Sequence, residues 1–69
     1  MDKKQPVQTG KIYTVEITGL GHSGEGVGKV DDFTVFVPFA LPGESVEAAI
    51  TQVKKSYATG LLKRVINQS

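Results

Sequence analysis

Hydrophobic and polar residues alternate along five segments of the chain, with the two-residue period of β-strands. Val53 falls out of phase with Ile50 in the fourth segment, which predicts a β-bulge near Gln52. Glutamate and alanine make a helix the competing interpretation of that segment, but its β-branched residues favour a strand. The pattern therefore predicts strands over residues 11–20, 25–30, 33–37, 44–55 and 57–66.

Short turns are predicted between these segments. Asp31 and Asp32 separate the second and third strands, and acidic residues at a hairpin tip favour turn geometry. Residues 41–44 read Leu-Pro-Gly-Glu, in which proline presets φ at the second position and glycine tolerates a positive φ at the third. Pro38 cannot donate a ladder hydrogen bond, so the third strand ends or runs along a sheet edge there and delivers Phe39 onto a corner.

The number and spacing of the strands predict the fold class. Five strands with turns at intervals of roughly 8–12 residues are typical of a small all-β barrel or sandwich. An open sheet of this size would leave long unpaired edges. We therefore predict an all-β, five-stranded antiparallel, OB-like or SH3-like small β-barrel over residues 10–66. Residues 1–9 are expected to form a flexible N-terminal tail, with Val7 fastening its end.

A glycine-rich segment follows the first predicted strand. Gly19, Gly21 and Gly24 match the G-x-G-x-x-G spacing of dinucleotide-binding loops. That mechanism needs a helix directly after the glycines, because the helix N-terminus holds the pyrophosphate. Gly26 and Gly28 follow instead, and glycine disfavours a helix. We interpret these glycines as points where a strand bends or where two backbones approach closely.

The composition limits the chemistry open to this 69-residue chain. It contains no cysteine and a single histidine, so thiolate metal sites and disulfides are excluded. No set of acid, base and nucleophile can be assembled, so we expect neither an enzyme nor a bound cofactor or metal. The first ten residues lack the apolar segment of a signal peptide, and no apolar run could cross a bilayer. We expect a cytoplasmic protein without a membrane partner.

Charge is distributed unevenly along the chain. Residues 1–50 carry four lysines and seven acidic residues, a net charge of −3, whereas residues 51–69 carry four basic residues and no acid. The split indicates a local basic surface, for which a solvated basic strand pair is the competing interpretation.

Aromatic residues lie close to these basic residues, and nucleic-acid binding requires both kinds. Tyr57 lies between the pairs Lys54–Lys55 and Lys63–Arg64, and Phe39 at its corner is expected to be exposed. Phe33 shares a strand face with two valines, so the favoured interpretation is that it lies in the core. Phe36 lies on the opposite face, and for it the core and the binding face both remain possible. His22, in a glycine-rich loop, is interpreted first as a solvated side chain and second as a contact to phosphate or base.

Four ordered blocks resemble the TRAM domain, and the resemblance runs from about residue 10 to residue 66. The blocks are GEGVG at 24–28, VFVP at 35–38, ALPGESV at 40–46 and KKSYA at 54–58. TRAM domains are five-stranded OB-like barrels appended to tRNA- and rRNA-modifying enzymes, where they hold the RNA. A chain consisting of this domain resembles the small stand-alone archaeal members, which implies RNA chaperone activity like that of cold-shock proteins, without ATP. Phe39 departs from the family pattern, in which a small residue, commonly glycine, stands at that position.

The resemblance and the residues together predict an RNA-binding protein, a monomer acting on single-stranded or structured RNA such as tRNA or rRNA. The candidate RNA-binding residues are Phe39, Tyr57, Lys54, Lys55, Arg64, Lys63, Phe36, His22, Lys29 and Phe33. Four phosphate contacts, from residues 54, 55, 63 and 64, would give a log–log salt slope of about −2.8. The alternatives are a protein-interaction adaptor, docked through the acidic part of the chain, or an RNA-docking subunit of an RNA-modifying enzyme.

Overall fold

Five β-strands make up most of the computed structural model, which describes residues 6–67. All five strands predicted from the alternating pattern are confirmed, with bounds within two residues of the predicted ones. The strands are β1 (Ile12–Leu20), β2 (Gly26–Val30), β3 (Phe33–Val37), β4 (Ser45–Val53) and β5 (Tyr57–Asn67). Within the described part of the chain, no helix is long and apolar enough to span a membrane.

The strands close into a barrel in the order β1-β2-β3-β5-β4, with β4 pairing back to β1. Four of the five pairs are antiparallel, but β3 and β5 run parallel. The predicted small five-stranded barrel is confirmed, whereas the expectation of a fully antiparallel sheet was wrong. The reason is geometric, because an odd number of strands cannot alternate in direction around a closed ring. The parallel pair places the beginning of β5 beside β3, with Thr34 opposite Tyr57.

Inward-facing side chains of the strands fill the interior of the barrel. Val15, Val35, Val46 and Ile50 are almost fully buried, as the two-residue period requires. The backbones of β1 and β2 approach so closely that an added Cβ at Gly28 would collide with the carbonyl oxygen of the facing strand. At Gly28 this confirms the prediction that strand glycines mark points where two backbones approach closely. The register of β4 against β5 shifts after Ile50, which confirms the bulge predicted near residue 52.

Two predicted turns have the backbone angles that their residues favour. Asp31 and Asp32 have φ of 50° and 66° and form a two-residue hairpin between β2 and β3, as in a type I′ turn. In the turn at residues 41–44, Gly43 has φ of 92°, and the amide of the fourth residue donates to the carbonyl of the first over 3.1 Å. The Gly43 amide also donates to the carbonyl of Ile17, 2.8 Å away, which fastens this turn to β1.

The residues before β1 pack against the barrel. Val7 is only 3% exposed and belongs to the core, and the Gln8 amide donates to the hydroxyl of Tyr13 over 2.9 Å. The expectation that Val7 fastens the N-terminal segment is confirmed, and packing begins ahead of the predicted start of the barrel at residue 10. Residues 1–5 of the predicted tail lie outside the described residues.

Candidate nucleic-acid interface

The outer face of β2, β3 and β5 carries a pair of aromatic rings. Strand pairing arranges the residues of this face in rows that run across β2, β3 and β5, in that order. One row is Val27, Phe36 and Thr59, and the next is Lys29, Thr34 and Tyr57. The rings of Phe36 and Tyr57 meet edge to face, with centroids 5.3 Å apart and planes at 80°. Such an aromatic pair contributes more to stability than the burial of its surface area alone would give. Because Phe36 alternates with the fully buried Val35 and Val37, its ring faces outward, one of the two alternatives that the sequence left open.

A third ring extends from the turn after β3. In the turn Val37–Ala40 the amide of Ala40 donates to the carbonyl of Val37 over 3.3 Å, and Phe39 at the third position has φ of +74°. Proline at the second position and a positive φ at the third are the features of a type II turn, whose third position favours glycine. The same arrangement recurs in the next turn, with Gly43 at the third position. Phe39 is 87% exposed, so the strained backbone carries its ring out into solvent.

These rings form the wall of an open groove of about 720 Å³. One side is formed by the end of the β1–β2 loop, the other by β3, the turn after it and the first residues of β5. The lining residues are Ser23, Gly24, Glu25, Phe36, Pro38, Phe39, Tyr57 and Thr59. The groove is mostly apolar and aromatic, with a few hydroxyl groups and one carboxylate at its edge, a composition suited to flat, polar-edged ligands.

Local hydrogen bonds hold the β1–β2 loop in place beside the groove. The Gly21 amide donates to the carbonyl of Glu25 over 2.7 Å, and the Gly24 amide donates to the carbonyl of Gly21 over 3.1 Å. The side-chain Oε1 of Glu25 accepts a further bond from the Ser23 amide at 2.9 Å. His22 lies in the same loop, exposed and next to a lining residue, but does not line the groove itself.

Basic side chains flank the groove at the β4–β5 loop. Lys54 and Lys55 are exposed in that loop, and the Lys54 amide donates to the Tyr57 carbonyl over 2.7 Å, which holds the loop against the beginning of β5. Lys29 is exposed on β2 and shares a row with Tyr57. Two of the candidate cations thus lie in the loop before Tyr57 and a third lies in the same row as its ring, an arrangement that could hold bases and phosphates together.

Three other candidate residues lie apart from the groove. Phe33 is half-buried and packs against the core, in the position that the sequence favoured for it. Lys63 and Arg64 lie towards the other end of β5, and Arg64 follows Tyr57 by seven residues, about 23 Å along the strand at about 3.3 Å per residue. The Arg64 Nε lies 3.5 Å from Oε1 of Glu47 on β4, in an exposed pair that contributes little to stability.

Sequence reasoning did not anticipate several lining residues. Ser23, Gly24 and Thr59 carry no individual signal, and Pro38 was noted only as a strand terminator. Glu25 carries no individual signal either, and residues 6–67 contain no group of three or more acidic or histidine side chains that could hold a metal ion. These residues meet because the β1–β2 loop lies beside the end of β3 and because β5 pairs with β3.

Comparison with known proteins agrees with the arrangement of the barrel. The model of the TRAM domain matches residues 6–63. An uncharacterized RNA methyltransferase of Clostridium tetani is 46% identical over the whole chain, which spans only 15% of that protein's length. An uncharacterized protein of Methanocaldococcus jannaschii is 45% identical over 77% of the chain and 69% of its own length.

A solved structure shares the fold. The solution structure of a conserved protein of Methanococcus maripaludis superimposes with a TM-score of 0.80, at 37% identity, covering 86% of this chain and 84% of that one. Together with the family match over most of its length, this similarity shows that the chain belongs to the TRAM domain family, whose members are associated with RNA binding.

Proposed function

We propose that the chain binds single-stranded segments of RNA in the aromatic groove and acts as an ATP-independent RNA chaperone. Bases stack on Phe36, Phe39 and Tyr57, while Lys54 and Lys55 meet the phosphates. The observation that carries the proposal is Phe39, an aromatic ring held almost fully in solvent by a backbone conformation that favours glycine. Strained residues of this kind persist where a function needs them.

Fold-level analogy supports this use of the groove. In OB folds, oligonucleotides bind on the face of the second and third strands and on the loops that connect strands one to two and four to five. Here the same face carries Phe36, and the two corresponding loops carry Glu25 and the lysine pair Lys54–Lys55. The relatives named as RNA methyltransferases add support for RNA as the ligand.

The chaperone proposal follows from the kind of contact available. Stacking is worth about 1–3 kcal/mol per base and tolerates every base, because every base has a π-face. An open groove with a few stacking positions and surface lysines binds unpaired segments without enclosing them. Such binding favours the open form of a hairpin and still releases it, which is what remodelling of RNA requires.

Titration of the amide resonances with a short single-stranded RNA tests the proposal. We expect the largest shifts at residues 23–25, 36–39 and 54–59, and little change at residues 44–48 and 63–65 on the other side of the barrel. Absence of any shift, or shifts confined to β1 and β4, would contradict binding in the groove.

A second candidate is that the chain docks RNA for a modifying enzyme rather than remodelling it. The match to a segment of an RNA methyltransferase favours this reading. The two functions share the groove and differ in outcome, because a docking module holds a structured RNA without opening it. A hairpin-opening measurement separates them.

A further inference from the structure

A carboxylate, that of Glu25, lies on the edge of the groove among its aromatic and hydroxyl side chains. A negative charge at this position repels phosphates. A groove that bound only the phosphate backbone of RNA would therefore bind it more tightly without the carboxylate. Within residues 6–67, Glu25 has no ion-pair partner that would neutralise it. A role for this carboxylate in the groove rests on the proposed function, the binding of RNA there.

The carboxylate is held in place from two directions. Its Oε1 accepts the hydrogen bond of the Ser23 amide at 2.9 Å. It also occupies the space above Gly21, where an added Cβ would lie 2.6–2.9 Å from the carboxyl atoms. Gly21 thus leaves room for the group that Ser23 anchors. A side chain so positioned presents its remaining acceptor sites in a defined direction, since an ionised carboxylate has about four lone-pair sites.

A fixed acceptor beside a stacking wall can read the edge of a base. Unpaired bases in single-stranded RNA expose their Watson–Crick edges. Guanine offers two adjacent donors there, N1–H and N2–H₂, that match the two oxygens of a carboxylate. Uracil offers one donor, N3–H, between two carbonyl oxygens that a carboxylate repels. We propose that Glu25 makes the groove select an unpaired guanine over uracil.

Binding of short labelled RNAs measures this selection directly. The probes are a nine-nucleotide oligouridine and the same oligomer with guanine at its centre, compared by fluorescence anisotropy at one salt concentration. We expect the intact chain to bind the guanine-containing oligomer about fivefold or more tightly, as one matched side-chain pair provides. Equal affinity for both would overturn the inference and leave RNA binding intact, whereas failure to bind either would overturn the proposed function itself.

Three variants assign the preference to the carboxylate. Glu25→Gln keeps the shape and an acceptor for Ser23, and we expect the affinity ratio to fall to within about twofold of unity, with tighter binding of oligouridine. Gly21→Ala keeps the charge but displaces the carboxylate, so the ratio is expected to fall as well. Glu47→Gln removes one charge on β4, outside the groove, and should leave the ratio unchanged. A guanine preference that survives in Glu25→Gln overturns the inference.

Discussion

At the scale of single residues, Phe39 and Gly43 occupy equivalent places in two successive turns. Both have a positive φ, 74° and 92°, but only one is a glycine. The left-handed backbone costs a residue with a side chain about 1–2 kcal/mol. The ring of Phe39 gains little by packing, because it is mostly exposed. The chain thus carries a local strain that the packing of the ring does not offset.

Substitutions of Phe39 distinguish the effect of its aromatic ring from the effect of its backbone conformation. Phe39→Gly should raise the free energy of unfolding by about 1 kcal/mol, because glycine adopts a positive φ without strain. It should also weaken RNA binding about five- to a hundredfold through the loss of one stacked base. Urea unfolding and anisotropy measure the two effects.

Phe39→Ala is the matched control, since it removes the same ring and keeps a side chain at a positive φ. It should lose as much affinity as the glycine variant without the gain in stability. A drop in the stability of Phe39→Gly would contradict this account and place the ring in the packed structure.

Gly28 illustrates a residue that the barrel itself requires. Gly28→Ala would drive a Cβ into the backbone of Glu16, so we expect a loss of about 3 kcal/mol or more in the free energy of unfolding. Gly19→Ala is the control, because a Cβ at Gly19 meets nothing within 4 Å, and its effect should stay within about 0.5 kcal/mol. Thermal unfolding of both variants checks the prediction, and equal stability would argue against the close approach of β1 and β2.

At the scale of elements, the basic residues divide between the two ends of β5. Lys54 and Lys55 precede the strand beside the groove, whereas Lys63 and Arg64 lie far along it, with Arg64 next to Glu47. The sequence presents all four as one basic group, but the strand places the two pairs towards its opposite ends, and only the first pair adjoins a residue that lines the groove. The two pairs should therefore contribute differently to RNA affinity.

The salt dependence of binding measures that difference. Three groove cations, Lys29, Lys54 and Lys55, give an expected log–log slope of about −2 for single-stranded RNA. Lys54→Ala with Lys55→Ala should reduce the slope to about −0.7, while Lys63→Ala with Arg64→Ala should leave it near −2. A slope near −2.8 that both double variants reduce equally would instead favour contacts along the whole strand.

At the scale of the whole molecule, the closed barrel gives a rigid support for a mobile ligand. Every strand pairs with two neighbours over at least part of its length, and beyond Thr59 strand β5 pairs with β4 alone. The groove lies on the outside of the barrel, so under the proposed function a segment of RNA enters and leaves it without any opening of the fold. This arrangement fits remodelling driven by binding alone.

Opening of a fluorescent RNA hairpin in the absence of ATP tests the activity of the intact chain. We expect the wild type to raise the open fraction in proportion to its binding, because it stabilises unpaired bases only. Phe39→Gly, which should fold at least as well, is expected to open the hairpin far less, and the Lys63→Ala, Arg64→Ala variant should match the wild type. Binding without opening would favour the docking function.

The sequence by itself determined the features that depend on neighbouring residues. Three features could be predicted from local sequence: the strands at residues 11–20 and 44–55, the Pro-Gly turn at residues 41–44 and the bulge near Gln52. Each depends on side-chain period, φ preference or ladder donation, which act within a few residues. The family resemblance, from ordered blocks of residues, also emerged at this level. These signals were enough for the number of strands and the small barrel.

Tertiary structure alone decided how those elements meet. The parallel pairing of β3 with β5 puts Phe36 beside Tyr57, and the folded β1–β2 loop brings Glu25 to them. Arg64 lies on the same strand as Tyr57, but farther along it, where β5 pairs with β4 instead of β3. Each of these outcomes depends on register and ring closure between segments distant in the chain, and closing an odd number of strands into a ring imposes a constraint that no local pattern contains.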